Sequence, residues 1–136
     1  MVNTASLAGL LPMEAHAIYS SSKAAVVNLS EALARELAPL GFGVTILCPG
    51  QVPTSLKENL SAIRGGAVDL QAVPPMPMST FERMKPFALA SAEPVGVMVR
   101  NAILDNALYL HTATVPGDLV AERVNIEWGP GTVGRV

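Results

Sequence analysis

The sequence is poor in the groups that most readily betray a function. It has one cysteine, Cys48, so an internal disulfide is impossible. Cys48 sits in the apolar run "GVTILCPG", where a buried, inert thiol is expected. Nothing points to an oxidising compartment. The two histidines, His16 and His111, lie far apart and have no ligand spacing with Cys48, which argues against a metal site. No G-x-S-x-G elbow is present, and Ser6 has no histidine base beside it, so a hydrolase triad is disfavoured. Charged residues make up only 15% of the chain, net charge is −2, and like charges form no runs. A nucleic-acid surface needs clustered Lys and Arg and is not expected. No apolar run approaches the roughly 18 residues of a membrane span. The opening "MVNTASLAGLLPMEAHA" imitates a signal peptide in its small-x-small end. It lacks a Lys or Arg, and Pro12 breaks its apolar stretch. The chain reads as cytoplasmic.

What is present suits one folded domain over residues 1–136. Half of the residues are hydrophobic, enough for a modest core. Met1 to Ala5 holds β-branched Val2 and Thr4 and predicts a strand. Leu7 to Pro12 reads as a loop. The pattern then turns helical from about Met13 to Leu40, with Val26, Leu29, Leu33 and Leu37 on one apolar face. Glu31 and Arg35 are spaced to pair across one turn, and Pro39 with Gly41 ends the helix. Val44 to Cys48 predicts a buried strand stopped by Pro49-Gly50. A continuous apolar run of this kind suits a parallel strand covered on both faces, so strand, helix and strand make a βαβ unit.

Residues 50–90 are rich in proline and include Gly65-Gly66. A short helix is expected over Leu56–Arg64, and a lid or binding loop over the rest. Met76, Met78, Phe81, Met84 and Phe87 would line an apolar substrate pocket or pack the lid on itself. Ser91 is expected to cap a second helix reaching Asp105, with Val95, Met98, Val99, Ala102 and Ile103 on one face. "ALYLHTAT" reads as a short strand, Asp118–Glu127 as weakly helical, and "GPGTVGRV" as a mobile tail. Trp128 reads as a packing residue. Two or three parallel strands do not cover themselves, so the first half of a larger sheet is expected to be missing from this chain.

Chemistry concentrates near the start. Tyr19 and Lys23 are i and i+4, so both side chains lie on one helix face. An ammonium nearby favours the phenolate form of a tyrosine, and a phenol so tuned can exchange a proton near neutral pH. Ser6, thirteen residues before Tyr19, falls at the end of the first strand. Its hydroxyl could hold the oxygen on which Tyr19 acts. A Tyr and a Lys four apart occur by chance in many helices, so "YSSSK" alone reads sooner as a polar helix start facing water; Ser6 at a strand end and "CPG" closing the next strand favour the catalytic reading.

The segments "NTASLAG" and "YSSSKAAVVNLSEALARELAPLGFGVTILCPGQVPT", with their spacing, resemble the C-terminal half of a compact, single-domain short-chain dehydrogenase/reductase. The likeness is strong over residues 2–56 and weaker beyond, where the helix at Glu93 and "ALYLHT" fit in order. It implies an α/β, Rossmann-like three-layer fold, here incomplete: the C-terminal half of a doubly wound parallel sheet. It implies hydride transfer between NAD or NADP and a small alcohol or ketone, with an apolar substrate suggested by the lid. Tyr19 would be the general acid/base and Ser6 would position the substrate oxygen. Lys23 would hold the nicotinamide ribose, Pro49 and Gly50 would border the nicotinamide, and the Val52 backbone and Thr54 hydroxyl would reach its carboxamide. The family's T-G-x-x-x-G-x-G turn, its N-N-A-G segment and its tetrad asparagine are not in this sequence. Neither Gly65-Gly66 nor "GPGTVG" substitutes for the turn, since neither follows a strand and opens a helix. The alternative is therefore a non-catalytic fragment or helix-pairing remnant without the cofactor-binding half. At full length the resemblance implies a homo-oligomer, with "SSSKAAVV" packing on a partner helix.

Overall fold

The structure, a computed structural model, describes residues 1–11, 13–14, 16–55 and 91–113. The expected helix over 56–64, the lid to residue 90, its methionines and phenylalanines, the helix over 118–127, Trp128 and the tail lie outside the described residues. Chain order is β1 (Val2–Thr4), a 3-10 turn (Leu7–Gly9), α1 (Ala17–Leu37), a second 3-10 turn (Ala38–Leu40), β2 (Thr45–Cys48), α2 (Glu93–Leu104) and β3 (Tyr109–His111). The strands form one parallel sheet in the order β1-β2-β3. All four residues of β2 are buried, as suits a central strand covered on both faces, and the Thr45 hydroxyl donates to the Ala107 carbonyl.

The register explains how α1 is seated. Asn3, Ile46 and Tyr109 are aligned across the sheet, so the three side chains share one face. Each meets α1. Asn3 Nδ2 donates to Ser30 Oγ at 2.9 Å. Ile46 joins Val27 in the buried cluster with Ala5, Leu7, Leu11 and Cys48. The Tyr109 hydroxyl donates to Glu31 Oε1. The helix thus turns Val27, Ser30 and Glu31 to the sheet. The expected apolar face needs correcting: Leu29 is 57% exposed, whereas the polar Ser30 is fully buried. Ser30 tolerates burial because its hydroxyl also donates to the Val26 carbonyl at 2.6 Å. Glu31 likewise takes Tyr109 as its partner rather than Arg35.

Other boundaries shift for local reasons. Leu7–Gly9 is a 3-10 turn, not open loop, because Ser6 caps it: Ser6 Oγ accepts from the Ala8 N–H at 3.2 Å. The long helix starts at Ala17 rather than Met13. Ahead of it the His16 N–H donates to the Met13 carbonyl, and the His16 ring donates through Nδ1 to the Glu14 carbonyl. A tight turn therefore competes with helix there. The α1 end is a 3-10 turn holding Pro39, closed by Gly41 at φ +79°, a left-handed position that suits glycine. In α2, Ala92 is the cap and Ser91 lies one residue outside, its hydroxyl donating to Glu93 Oε2 at 3.2 Å. Val95, Met98 and Val99 are half-buried and Ala102 is buried, but Ile103 is exposed.

Gly9 brings the capped turn against α1. A Cβ built there would lie 2.7 Å from the Lys23 carbonyl carbon and 2.8 Å from its oxygen. Both are backbone atoms, so the contact cannot yield by a rotamer change. Gly96 in α2 has nothing within 4 Å of such a Cβ. Gly9→Ala is expected to lower the unfolding free energy by about 1–3 kcal/mol through overpacking. Gly96→Ala should raise it by about 0.5–1 kcal/mol through helix propensity. Urea unfolding midpoints of the two variants check both signs.

Candidate active site

The carboxyl ends of the three strands meet in one hydrogen-bonded rim. The Ala5 N–H donates to the Leu47 carbonyl at 2.8 Å and the Leu7 N–H to the Pro49 carbonyl at 3.0 Å. The Gly50 N–H donates to Thr112 Oγ1 at 3.0 Å. Ligands of open α/β sheets bind in this position, outside the strands' carboxyl ends.

A cavity of about 440 Å³ opens over the rim. Ser6, Tyr19, Lys23, Pro49, Gly50, Val52 and Thr54 all line it, together with Thr4, Ala5, Ala92 and Val95. Every site residue named from the sequence therefore faces one space. A smaller cavity, about 200 Å³, adjoins it and shares Ser6, Tyr19, Pro49 and Gly50; Leu7, Leu11, Met13, His16 and Gln51 contribute to its remaining wall. Ser6 and Tyr19 thus stand between a larger chamber and a compact one.

Each polar group is held by its own local cause. The Ser6 side chain is fixed by the Ala8 N–H it accepts. That bond uses a lone pair and leaves the hydroxyl hydrogen to donate. Tyr19 sits in the first turn of α1 and is 47% exposed. Lys23, one turn on, donates through Nζ to the Thr4 carbonyl at 3.2 Å, with the ammonium 5.8 Å from the centre of the Tyr19 ring. The amine is thereby tied to the end of β1. Thr4 as the anchor of Lys23 was not legible from spacing, because its part is played by a backbone carbonyl. Ala92 and Val95 reach the cavity from α2, a contribution only the fold reveals. Gln51 and His16 carried a weak signal, lying next to Pro49-Gly50 and three residues before Tyr19.

Cys48 lies beneath the rim with no exposed surface. Burial pushes its thiol up to about 11, opposed in part by the Ser6 backbone hydrogen bond. It is a core residue. Among the described residues no group of three or more His, Cys, Asp or Glu could hold a metal ion. No helix among them is long and apolar enough to cross a membrane.

The short chain dehydrogenase model matches residues 1–64. An uncharacterized oxidoreductase of Bacillus subtilis, YxjF, is 35% identical over 118 residues, 77% of this chain and 46% of that protein. A short-chain dehydrogenase/reductase from Burkholderia phymatum, solved in complex with NAD, superposes with a TM-score of 0.60 at 30% identity. These matches support membership of the short-chain dehydrogenase/reductase family. A 3-oxoacyl-[acyl-carrier-protein] reductase of Synechocystis is 37% identical over 62 residues, 46% of this chain and 25% of that protein. The Burkholderia structure is matched over 90% of this chain but only 45% of its own length. A short-chain dehydrogenase of Novosphingobium aromaticivorans gives a TM-score of 0.59 at 25% identity, over 96% of this chain and 38% of that one. The chain thus spans less than half the length of these family members. Among the described residues, three parallel strands and two helices form an incomplete α/β fold of the Rossmann type found in its structural relatives.

The state of Cys48 makes a measurable statement. A thiol whose folded value lies near 11, against 9.0 for the ordinary group, adds stability that is complete below pH 9. As pH rises toward 11 the unfolded thiol ionises first and stability falls, by at most about 2–3 kcal/mol. Cys48→Ala should lose this alkaline decline in a series of urea unfolding curves. At pH 8 the native chain should resist a thiol-reactive disulfide reagent that labels the unfolded chain at once.

Proposed function

We propose that the chain carries the reacting half of an NAD(P)-dependent oxidoreductase that interconverts an alcohol and a ketone, within the single domain expected for residues 1–136. The observation that carries this reading is the shared cavity, which gathers Ser6, Tyr19, Lys23, Pro49, Gly50, Val52 and Thr54. Bound NAD or NADP supplies the hydride acceptor or donor. The lining of the cavity, with one cation and several backbone and hydroxyl groups, supports a reading in which it takes the nicotinamide end of such a group. Lys23 would hold the nicotinamide ribose hydroxyls, Pro49 and Gly50 would border the nicotinamide, and the Val52 backbone and the Thr54 hydroxyl would take its carboxamide.

The chain's own residues then have distinct tasks. Ser6, with its oxygen fixed by the capped turn, donates to the substrate oxygen and orients it. Tyr19 gives a proton to that oxygen in the reductive direction and takes one in the oxidative direction. Lys23 places positive charge beside the phenol. Leu7, Leu11 and Met13 in the adjoining cavity suit an apolar part of a small substrate.

A second reading, helix pairing without catalysis, rests on α1. Ile18 and Leu29 are 90% and 57% exposed, and their eleven-residue spacing puts them on one outer face. Such a chain would self-associate, with a sedimentation mass that rises with concentration, and would leave NADH fluorescence unaltered.

Catalysis predicts instead that NADH fluorescence rises when the chain is added at millimolar cofactor; no change removes the reading for this chain. In the ketone-dependent oxidation of NADH, Tyr19→Phe should lower kcat by about 10²–10⁴-fold, with a much smaller change in cofactor affinity. Turnover near the wild-type rate in that variant would remove the proton-transfer role of Tyr19.

A further inference from the structure

One polar group in the cavity wall has no structural account. Gln51 Nε2 is shielded from solvent and has no hydrogen-bond partner among the described residues. A donor left in that condition is costly to the fold, and native proteins keep few of them. Ser20 Oγ shares the condition, but a helical hydroxyl can turn to the carbonyl one turn back. A glutamine amide outside any helix has no such recourse. The Gln51 position is not a matter of a wandering loop either. It follows Gly50, whose N–H is bonded to Thr112, and Pro49, whose carbonyl is bonded to Leu7.

Gln51 borders the 200 Å³ cavity that Ser6 and Tyr19 also line. An orphan donor at the wall of a binding cavity is satisfied when the ligand brings an acceptor. We propose that Gln51 reads a second acceptor oxygen on the substrate. This rests on the oxidoreductase reading and narrows it. The substrate class is a compact oxo compound, or its hydroxy counterpart, with an ester- or amide-type carbonyl a few bonds from the reacting one. The reacting oxygen goes to Ser6 and Tyr19, the second oxygen to the Gln51 amide, and a short carbon chain to Leu7, Leu11 and Met13. The volume suits this size, since 200 Å³ is the share of about seven liquid water molecules. A simple ketone of the same length fills the same space but leaves the amide unpaired. A site built around a hydrogen bond rejects the analogue that lacks it.

The test uses ethyl 3-oxobutanoate and 2-heptanone, which are similar in length and differ in the second carbonyl group. Their affinities for the 15N-labelled chain are measured by amide chemical-shift titration, which needs no turnover. The ester should bind roughly tenfold more tightly than the ketone. Gln51→Leu and Gln51→Glu, each checked for an intact fold by circular dichroism, should both bring that ratio toward one. The Glu variant keeps the length of the side chain and removes the amide donor. The proposal is overturned if the ratio is near one in the wild type, if it survives both substitutions, or if neither probe binds. NADH oxidation measured alongside separates the two readings. Turnover with a ratio indifferent to Gln51 ends this proposal alone, and a Gln51-dependent ratio without turnover ends the hydride-transfer reading alone.

Discussion

The approach of Gly9 to the Lys23 backbone is the contact on which the site depends. The strand β1 ends at Thr4, Ser6 caps the turn that follows, and that turn presses Gly9 onto α1 at Lys23. Because the opposing atoms are backbone, the spacing between strand end and helix cannot be relaxed by a side-chain rotation. Ser6 stands at one side of that contact and Tyr19 and Lys23 at the other. In the proposed reaction a hydroxyl and a phenol would act on one oxygen, and such a spacer would hold them in place, since misplacement by about an ångström can cost a hundredfold in rate.

The rotation of α1 is decided farther along the helix, by Asn3 on Ser30 and Tyr109 on Glu31. These two contacts lie on opposite edges of the sheet, with Ile46 and Val27 between them. Together with the Gly9 contact they fix both where the helix lies and which residues it turns inward. Lys23 follows as a consequence, its amine landing on the Thr4 carbonyl. The helix is thus held at polar points around an apolar centre. Directional bonds choose one rotation, while apolar burial, which has no direction, supplies the driving force.

The rim at the strand ends does comparable work for the second half of the site. Thr112 holds Gly50 and Leu7 holds Pro49, so the segment after β2 leaves the sheet in one defined direction. Val52 and Thr54 are carried to the larger cavity and Gln51 to the smaller. The two spaces share Ser6 and Tyr19 in their walls.

Much of this was legible along the chain. The order of strand, helix and strand follows from apolar runs and breakers, which are local properties. Tyr19 and Lys23 share a face because a helix repeats every 3.6 residues, whatever surrounds it. The "CPG" that ends β2 marked a strand terminus by its own stiffness. What could not be read is which face of α1 is buried. The apolar count favoured Leu29, and the structure buries Ser30, because a partner on β1 twenty-seven residues away satisfies its hydroxyl. The same holds for Thr4 as the anchor of Lys23, for Glu31 as the partner of Tyr109, and for Ala92 and Val95 at the cavity. Backbone dihedrals and periodicity are set by near neighbours and appear in the sequence; hydrogen bonds and close approaches between distant segments exist only once the chain has closed on itself.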